Sequence, residues 1–312
     1  MSHQRYLSHD PIKEPHSVSV KVLRLSRPSL VTQYPINPPF SASTAPPTAL
    51  PASLSYTSPS DSNPSSFVLS PILNLPASFG SAYVGETFSC TLCVNNDLLP
   101  DSPKHIRDVR IEAEMKTPGL GNAQPLELTP GGSPDSVDLN ASETLQKIVS
   151  FDLKEEGNHV LAVTVSYYEA SDISGRTRTF RKLYQFICKA SLIVRTKVGP
   201  LATEDAGPKR YILEAQLENC SEEPIQLEKV VMELENGFSY QDCNWESTRS
   251  DKPVLQPTEV EQVCFIVEDR GTREADPADD RLIFGVMGIG WRGEMGNRGF
   301  LSTGKLGTRI TR

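Results

Sequence analysis

The fold class of this chain depends on how the stretch MGIGWRGEMGNRG, residues 287–299, is interpreted. It could be a nucleotide-binding loop or a β-hairpin. Gly288, Gly290 and Gly293 have the G-x-G-x-x-G spacing of a dinucleotide-binding loop. Such a loop needs a strand before it and a helix after it, since the pyrophosphate binds at the helix N-terminus. The nineteen residues after Gly293 contain four more glycines and no helical pattern, and no acidic residue follows about 20 positions on. We therefore predict no cofactor site here.

The same stretch is typical of a β-hairpin. Its turn, GEMGNRG, is rich in glycine, and alternating residues precede and follow it. The predicted pairing joins Ile289 and Trp291 to Phe300 and Ser302. A hairpin at this position favours an all-β fold over a doubly wound α/β fold.

Alternation of apolar and polar residues, the pattern of a half-buried strand, continues through most of the chain. No amphipathic helical pattern of ten or more residues is present. We therefore predict an all-β protein. Its buried strand faces are expected to consist of Val18, Val20 and Val22; Phe88, Cys90, Leu92 and Val94; Val109, Ile111, Ala113 and Met115; and His159, Leu161, Val163, Val165 and Tyr167.

The strand pattern starts again near residue 190, which predicts two domains in tandem. Residues 210–240 repeat the order of residues 86–115: a strand that ends in Asn, a polar turn, and a second strand of alternating aliphatic residues. Short strands roughly 8 to 12 residues apart, with turn signals between them, are typical of β-sandwiches. We expect a disordered N-terminus at 1–16, a first β-sandwich domain at 17–189 and a second at 190–312.

Two stretches lack a strand pattern. In residues 37–66, nine of the thirty residues are Ser and Asp61 is the only charged one. Such a Pro/Ser-rich composition cannot bury enough apolar surface to offset the entropy of ordering, so we predict a disordered insert in the first domain. Residues 269–281, DRGTREADPADDR, are predicted to form a mobile loop between two strands.

Composition and charge exclude several classes of function. The formal net charge of -8 argues against nucleic-acid binding, which needs a cationic surface to release phosphate counterions. No apolar run approaches the roughly 20 residues that span a bilayer, and residues 1–17 contain no apolar core of a secretory signal. These features predict a soluble cytosolic protein whose six cysteines are reduced thiols.

No group of residues has the spacing of a catalytic or metal site. Cys90 and Cys93 are spaced as C-x-x-C, but residues three apart in a strand point to opposite faces. We therefore expect one core and one surface cysteine, and not a redox or zinc motif. His159 belongs to an apolar face and His105 to a polar turn, without Cys or His neighbours at ligand spacing. We predict no catalytic, cofactor-binding or metal-binding residue, and hence no enzyme and no cofactor.

A basic string, consisting of Arg176, Arg178, Arg181 and Lys182, stands out in this acidic chain. Two interpretations remain open. Charged residues on an edge strand prevent edge-to-edge aggregation. Alternatively, the string contacts an acidic partner or an anionic membrane surface, which makes these four residues the candidate partner contacts.

Seven stretches occur in the order typical of one known family: VSVKVLRLSRPSL, LPASFGSAYVGETFSCTLCVNND, EEGNHVLAVTVSYYE, TFRKLYQF, LIVRTKV, YILEAQLENCSEEPIQLEKVVME and GWRGEMGNRGFLSTGKL. Together they closely resemble the trafficking protein particle (TRAPP) complex subunit 13 family. The resemblance covers nearly the whole chain from residue 17 onward, except for the Pro/Ser-rich insert and the TREADPADD loop. Several short motifs in one order are specific evidence for this family, whereas each motif by itself is weak evidence.

This resemblance implies tandem immunoglobulin-like β-sandwich domains and a non-catalytic subunit, with no site residues to transfer. It implies docking to the large peripheral subunits of the TRAPP complex. That assembly is a guanine-nucleotide exchange factor for Rab GTPases at ER, Golgi and autophagic membranes, and small core subunits carry out the exchange. The link to Rab GTPases would be indirect, and association with Golgi and ER–Golgi membranes would be peripheral.

The chain departs from the family pattern in two respects. Relatives typically continue into a further β-rich domain after the stretch FLSTGKL, so we expect this chain to be a short form or a truncated one. The Pro/Ser-rich insert is also longer than expected. An alternative function is that of an arrestin-like cytosolic cargo adaptor, which would bind peptide or phosphorylated tails through the basic string around Arg181.

Overall fold

A computed structural model describes residues 14–26, 28–30, 35–36, 55–56, 67–69, 73–74, 82–119, 121–129, 136–202, 207–248, 250–271 and 281–309. Within these residues the regular elements are β-strands and a single four-residue helix, which confirms the all-β prediction. Three predicted segments lie mostly outside them. They are the N-terminus 1–16 except for residues 14–16, the insert 37–66 except for the strand at residues 55–56, and the centre of the loop 269–281.

The strands up to residue 152 are β1 Val18–Arg24, β2 Ser29–Leu30, β3 Pro35–Ile36, β4 Ser55–Tyr56, β5 Phe67–Leu69, β6 Leu73–Asn74, β7 Ala82–Tyr83, β8 Thr87–Asn96, β9 His105–Lys116, β10 Gln124–Pro125, β11 Val137–Leu139 and β12 Thr144–Asp152. The later elements are β13 Gly157–Ala170, β14 Gly175–Lys189, β15 Leu192–Leu201, β16 Arg210–Asn219, β17 Ile225–Leu234, β18 Phe238–Asp242, α1 Trp245–Thr248, β19 Val254–Leu255, β20 Val260–Asp269, β21 Arg281–Gly293, β22 Arg298–Ser302 and β23 Leu306–Arg309.

The described residues divide into two compact units. The first unit is drawn from residues 1–25, 89–151 and 159–185. The second is drawn from residues 26–88, 152–158 and 186–312. The domain boundary that the sequence places between residues 189 and 190 stays a prediction.

Two sheets contribute to the first unit. β1 pairs antiparallel with β8, from Val18 opposite Asn96 to Arg24 opposite Cys90, and β12 follows β8. The other sheet places β9, β13 and β14 side by side, with β10 and β11 on β9. The predicted apolar faces of β1, β9 and β13 are all buried, with each side chain at most 9% exposed. The period-two pattern therefore identified the strand faces correctly.

The second unit is a sandwich of two antiparallel sheets. One sheet has the order β15, β16, β20, β18, and the other has the order β19, β17, β21, β22, with β23 also on β21. Apolar residues from both sheets form one buried cluster. Tyr211 in β16 is half-buried and packs against this cluster, with its ring centroid 5.2 Å from that of Phe284 in β21. This contact between facing strands is the interdigitation expected of packed sheets.

The predicted hairpin at residues 287–299 is present, but its register differs by one residue from the prediction. Trp291 lies opposite Gly299 and Ile289 lies opposite Leu301. A Cβ atom on Gly299 would overlap the indole ring of Trp291. The absence of a side chain at Gly299 therefore makes room for a fully buried tryptophan, and this packing sets the register.

Candidate functional site

The predicted basic string lies on β14, but the strand divides its members between two faces. Side chains alternate along a strand, so Arg176, Arg178 and Lys182 share one face and Arg181 projects from the other. Arg178 is only 10% exposed, whereas Arg181 is 51% exposed. The four residues therefore do not form one continuous cationic patch.

A buried carboxylate, Glu169 on β13, organises the first of these faces. Its side chain is 4% exposed and accepts a hydrogen bond of 2.5 Å from the Ser17 hydroxyl. Lys104 Nζ lies 3.3 Å and Arg178 Nη1 lies 3.2 Å from its carboxylate oxygens. Arg176 Nε lies slightly further away, at 3.5 Å. We call Glu169, Ser17, Lys104, Arg176 and Arg178 the Glu169 cluster.

Hydrogen bonds and positive charge keep Glu169 ionised. Burial by itself would raise the pKa of this carboxyl group. The hydrogen bonds from Ser17 and Lys104, with the positive charges of Lys104 and Arg178, outweigh that effect and lower its pKa from 4.5 to about 2. At neutral pH the group is therefore a paired anion and not a general acid.

The Glu169 cluster also holds the chain that leads into β1. Arg178 donates hydrogen bonds from Nη2 to the Glu14 carbonyl oxygen at 2.6 Å and from Nη1 to the Pro15 carbonyl oxygen at 2.9 Å. Arg176 pairs with the Glu14 carboxylate. Residues 14–16, which the sequence assigned to a disordered N-terminus, are thus bound to β14 through defined contacts.

The ring of His16 extends this attachment. Its Nδ1 atom lies 3.0 Å from the Tyr167 hydroxyl, and its centroid lies 4.8 Å from that of Phe180. Burial, followed by the positive charge of Arg178, lowers the pKa of His16. Burial raises the pKa of Tyr167. Both side chains are therefore neutral at pH 7 and contribute packing and a hydrogen bond, not charge.

The opposite face of β14 is accessible. Arg181 Nη2 lies 2.7 Å from Glu114 Oε2 on β9. Thr177, Thr179 and Leu183 are exposed on the same face, with Leu183 60% exposed. We call Thr177, Thr179, Arg181 and Leu183 the outer β14 face. Lys182, which projects from the other face, donates to the Val20 carbonyl oxygen at 3.2 Å.

The structure does not bring the cysteine and histidine candidates together into one site. Cys90 and Cys93 are both buried, so the prediction of a surface position for Cys93 is wrong: the second face of β8 is half-buried along most of its length and is covered at Cys93. Burial raises the pKa of Cys90 to about 12, which keeps its thiol protonated.

His159 is buried in the apolar face of β13, and His105 begins β9 in an exposed position. In the part of the chain that the structure describes, no group of three or more His, Cys, Asp or Glu side chains could hold a metal ion.

A surface groove of about 560 Å³ lies in the first unit beside β9 and β11. Lys104, His105, Arg107 and Asp138 supply its charged and titratable side chains. Lys104 is engaged with Glu169, and the Asp138 carboxylate accepts a hydrogen bond from the Asp108 backbone N–H at 3.0 Å. Two of these four side chains therefore take part in contacts within the fold.

The sequence analysis did not detect Glu169, although a signal for it was present. The buried face of β13 runs through every second residue from His159 to Tyr167, and the next residue in that series is Glu169. A carboxylate at a position predicted to be buried requires cationic partners. The three cations that supply them come from β14 and from the residue before β9.

Both halves of the chain match models of known protein domains. The model of the N-terminal domain of trafficking protein particle complex subunit 13 matches residues 16–188. The model of the middle domain of the same subunit matches residues 192–311. The chain belongs to the trafficking protein particle complex subunit 13 family. The resemblance noted in the sequence is thereby confirmed, and every member of the Glu169 cluster falls within the first matched range.

Members of the subunit 13 family from distant animals align with nearly the whole chain. The Xenopus laevis protein "Trafficking protein particle complex subunit 13" is 30% identical over 311 residues, which cover 94% of this chain and 69% of the relative. A Drosophila melanogaster protein described as a probable homolog of subunit 13 is 29% identical over 302 residues, which cover 93% of this chain and 64% of the relative. Among the residues that the structure describes, no helix is long and apolar enough to cross a membrane.

One solved structure, a CsuC–CsuE chaperone–tip adhesion subunit pre-assembly complex from Acinetobacter baumannii Csu pili, aligns with 69% of this chain and 90% of its own. The identity is 9% and the TM-score is 0.21, so no conclusion about this chain rests on it.

Proposed function

We propose that this protein is a non-catalytic structural and docking subunit of the TRAPP complex. The observation that carries the proposal is the match of two successive subunit 13 domain models, at residues 16–188 and 192–311. Through the complex, the protein would act in Rab-dependent tethering at ER–Golgi and autophagy-related membranes. Its own part would be to bind large peripheral subunits, while nucleotide exchange takes place elsewhere in the assembly.

The chemistry of the described residues supports a role without catalysis. The strongly perturbed carboxylate, Glu169, is fully engaged by Ser17, Lys104 and Arg178. The thiol of Cys90 is buried and protonated. Such groups stabilise a fold, whereas a catalytic group must be able to reach a substrate.

The outer β14 face is our proposed contact for a large TRAPP subunit. It combines an exposed leucine, two threonines and the exposed ion pair between Arg181 and Glu114. This mixture of apolar area and an arginine suits a protein–protein contact. Arg176 and Arg178, in contrast, are occupied by Glu14 and Glu169, so we assign them to the attachment of the N-terminal segment.

Affinity purification of the tagged protein at native expression level tests both parts of the proposal. We expect wild-type protein to recover the large and core TRAPP subunits in stable ratio. The double variant Arg181→Glu with Leu183→Asp should lose most of this recovery while remaining folded. Arg195→Glu is the matched control, because Arg195 is 56% exposed and pairs with Glu218 at the same 2.7 Å distance, but lies on β15.

The possible outcomes distinguish an error in the proposed contact surface from an error in the proposed subunit role. Recovery that survives in the double variant would reject the outer β14 face and leave the subunit role intact. Recovery of membrane cargo without any TRAPP subunit by the wild type would reject the subunit role itself.

A peripheral, cytoplasmic location at Golgi and ER–Golgi membranes follows from the proposed role. Membrane association would then depend on the other subunits and not on this chain. Fractionation of cells depleted of a large TRAPP subunit should move the protein from the membrane fraction to the supernatant. Retention on membranes after depletion would contradict this dependence.

The alternative function, an arrestin-like adaptor for peptide tails, receives less support. It requires the basic string to be available for a phosphorylated or acidic tail. Arg178 is bound to Glu169 and to two backbone carbonyl oxygens, and Lys182 and Arg181 project from opposite faces.

A further inference from the structure

Two cysteines of the second unit are neighbours: Cys243 directly follows β18, and Cys264 lies on the paired strand β20. β18 and β20 are antiparallel, with Tyr240 opposite Val267 and Asp242 opposite Phe265. The next pair in the same register is Cys243 and Cys264, and the Cys243 N–H donates a hydrogen bond to the Cys264 carbonyl oxygen at 3.2 Å. Residues directly opposite in a sheet project from the same face. A pair that exchanges both backbone hydrogen bonds has its Cα atoms about 5.5 Å apart, within the roughly 4.4–6.8 Å that a disulfide spans. Cys243 and Cys264 make one of these two bonds.

Further hydrogen bonds fix both cysteines in place. The Cys243 thiol donates to the Gln241 carbonyl oxygen at 3.9 Å, and the Cys264 N–H donates to Asn244 Oδ1 at 2.7 Å. Cys243 is also among the neighbours that raise the pKa of the Cys264 thiol. The backbone therefore holds the two residues side by side.

Accessibility distinguishes the two thiols. All six cysteines lie in the described part of the chain; Cys243 is exposed, Cys264 and Cys220 are partly buried, and the others are buried. Burial, followed by the neighbouring Cys243 and Glu214, raises the pKa of Cys264. A reagent in solution will therefore meet Cys243 first, while Cys264 is placed to react second.

We propose that Cys243 and Cys264 form a thiol modification site that reacts with low-molecular-weight disulfides, such as oxidised glutathione, and closes to an intramolecular disulfide. None of the residues involved takes part in the Glu169 cluster or the outer β14 face. The proposal is therefore independent of the proposed docking function.

The reaction proceeds in two exchange steps. The Cys243 thiolate attacks one sulfur of oxidised glutathione, which forms a mixed disulfide and releases one glutathione thiolate. The Cys264 thiolate then attacks the Cys243 sulfur, which forms the protein disulfide and releases the second glutathione. The two cysteines are oxidised, oxidised glutathione is reduced to two glutathione molecules, and the two cysteine protons end on those molecules.

Closure would tie the end of β18 to β20. β18 is the outermost strand of its sheet in the described residues, and it pairs with β20 over five residues. A covalent link at the C-terminal end of β18 reduces fraying of this outer strand. The link lowers the conformational entropy of the state in which β18 is detached from β20. Little rearrangement is needed, since the backbone hydrogen bond between the two cysteines already exists.

The test uses the purified full chain, equilibrated with mixtures of oxidised and reduced glutathione at pH 7.5 and then alkylated under denaturing conditions. We expect wild-type protein to bind two fewer alkyl groups at oxidising ratios. A non-reduced tryptic digest should link peptide 230–249, which contains Cys243, to peptide 250–270, which contains Cys264. Cys264→Ser should stop at a mixed disulfide with glutathione on Cys243, and Cys243→Ser should leave the Cys264 thiol unreacted.

Cys220→Ser is the control, since Cys220 is also partly buried and has no cysteine opposite it on the paired strands. It should form the 243–264 link as the wild type does. Three results would each overturn the proposal: no loss of alkylation at any glutathione ratio, a stable mixed disulfide on wild-type Cys243 that never closes, or a link that involves Cys220. Circular dichroism of each variant establishes that the chain remains folded.

Discussion

At the residue scale, glycine is required within residues 287–299 where a side chain would overlap a neighbouring residue. Trp291 is buried between two glycines: a Cβ atom on Gly85 would lie 2.6 Å from the indole, and one on Gly299 would overlap it. Gly290 differs, because the nearest atoms to its Cβ position are 4.0 Å away. Glycines within residues 287–299 thus have different structural demands: Gly299 must lack a side chain, whereas Gly290 has room for one.

We predict that Gly299→Ala destabilises the protein by about 1–3 kcal/mol, because a side chain there must displace the buried Trp291 ring. Gly290→Ala is the matched control on the paired strand. It should change the free energy of unfolding by less than about 1 kcal/mol, since the added methyl group finds room. Urea unfolding measures both changes, and equal losses in the two variants would contradict the packing explanation.

We predict that the ionised Glu169 stabilises the fold in a pH-dependent way. Its pKa is about 2 in the folded chain, against an ordinary 4.5, so its stabilisation is complete above pH 4.5 and is lost as the pH falls from 4.5 to 2. The difference corresponds to roughly 3 kcal/mol. Glu169→Gln should therefore have a lower free energy of unfolding than wild type at pH 7. The difference between the two should decrease below pH 4.5.

Urea unfolding at several pH values between 7 and 3 checks this prediction. Glu114→Gln, at the exposed pair with Arg181, provides the control and should cost less than about 1 kcal/mol at pH 7. A gap between Glu169→Gln and wild type that stays constant down to pH 3 would show that the carboxylate charge is not the source of the stability.

At the element scale, β14 presents different sets of side chains on its two faces. One face carries Arg178, which binds the buried Glu169 and the carbonyl oxygens of Glu14 and Pro15. The other carries the exposed Arg181 and Leu183. The strand thereby separates cations that are adjacent in sequence into a structural set and an accessible set.

We predict that Arg178→Ala lowers the free energy of unfolding by about 1–3 kcal/mol, because it leaves a buried carboxylate with fewer partners. Arg181→Ala should cost less than about 1 kcal/mol, since its ion pair is exposed. Hydrogen exchange should also show faster exchange at residues 14–17 in Arg178→Ala only. Equal exchange in the two variants would mean that the N-terminal segment is held by other contacts.

The accuracy of the sequence analysis differed between elements for a physical reason. Strand faces such as Val18, Val20 and Val22 were predicted correctly, since alternation is a local property of the chain. The register of the β21–β22 hairpin was wrong by one residue, because it depends on how Trp291 packs against Gly299. Glu169 was missed because its cationic partners lie on other strands and are not apparent from local spacing.

At the scale of the whole molecule, the second sandwich uses residues from outside the predicted domain 190–312. The Phe300 N–H donates to the Gly85 carbonyl oxygen at 2.9 Å. The Ser191 hydroxyl donates to the Val84 carbonyl oxygen at 2.6 Å. Both contacts lie within the second unit, so a fragment that starts at residue 190 would lose them.

We predict that the fragment 190–312 folds but exposes Trp291. Its core survives because the buried cluster between the two sheets is drawn from residues 192–291. In a Trp245→Phe background, which leaves Trp291 as the remaining tryptophan, the fluorescence emission of the fragment should shift to longer wavelength than that of the full chain. Identical emission spectra would show that residues 82–88 do not cover Trp291.

The sequence by itself determined the all-β class, the buried faces of the main strands and the family, because these depend on local alternation and on the order of short motifs. Tertiary structure decided what the charged and glycine residues do. Arg178 became internal and Arg181 accessible. The N-terminal residues 14–16 were bound by side chains of β13 and β14, and Cys243 came to lie opposite Cys264. Each of these outcomes depends on which strands are neighbours, and hydrogen bonding between distant segments sets that arrangement.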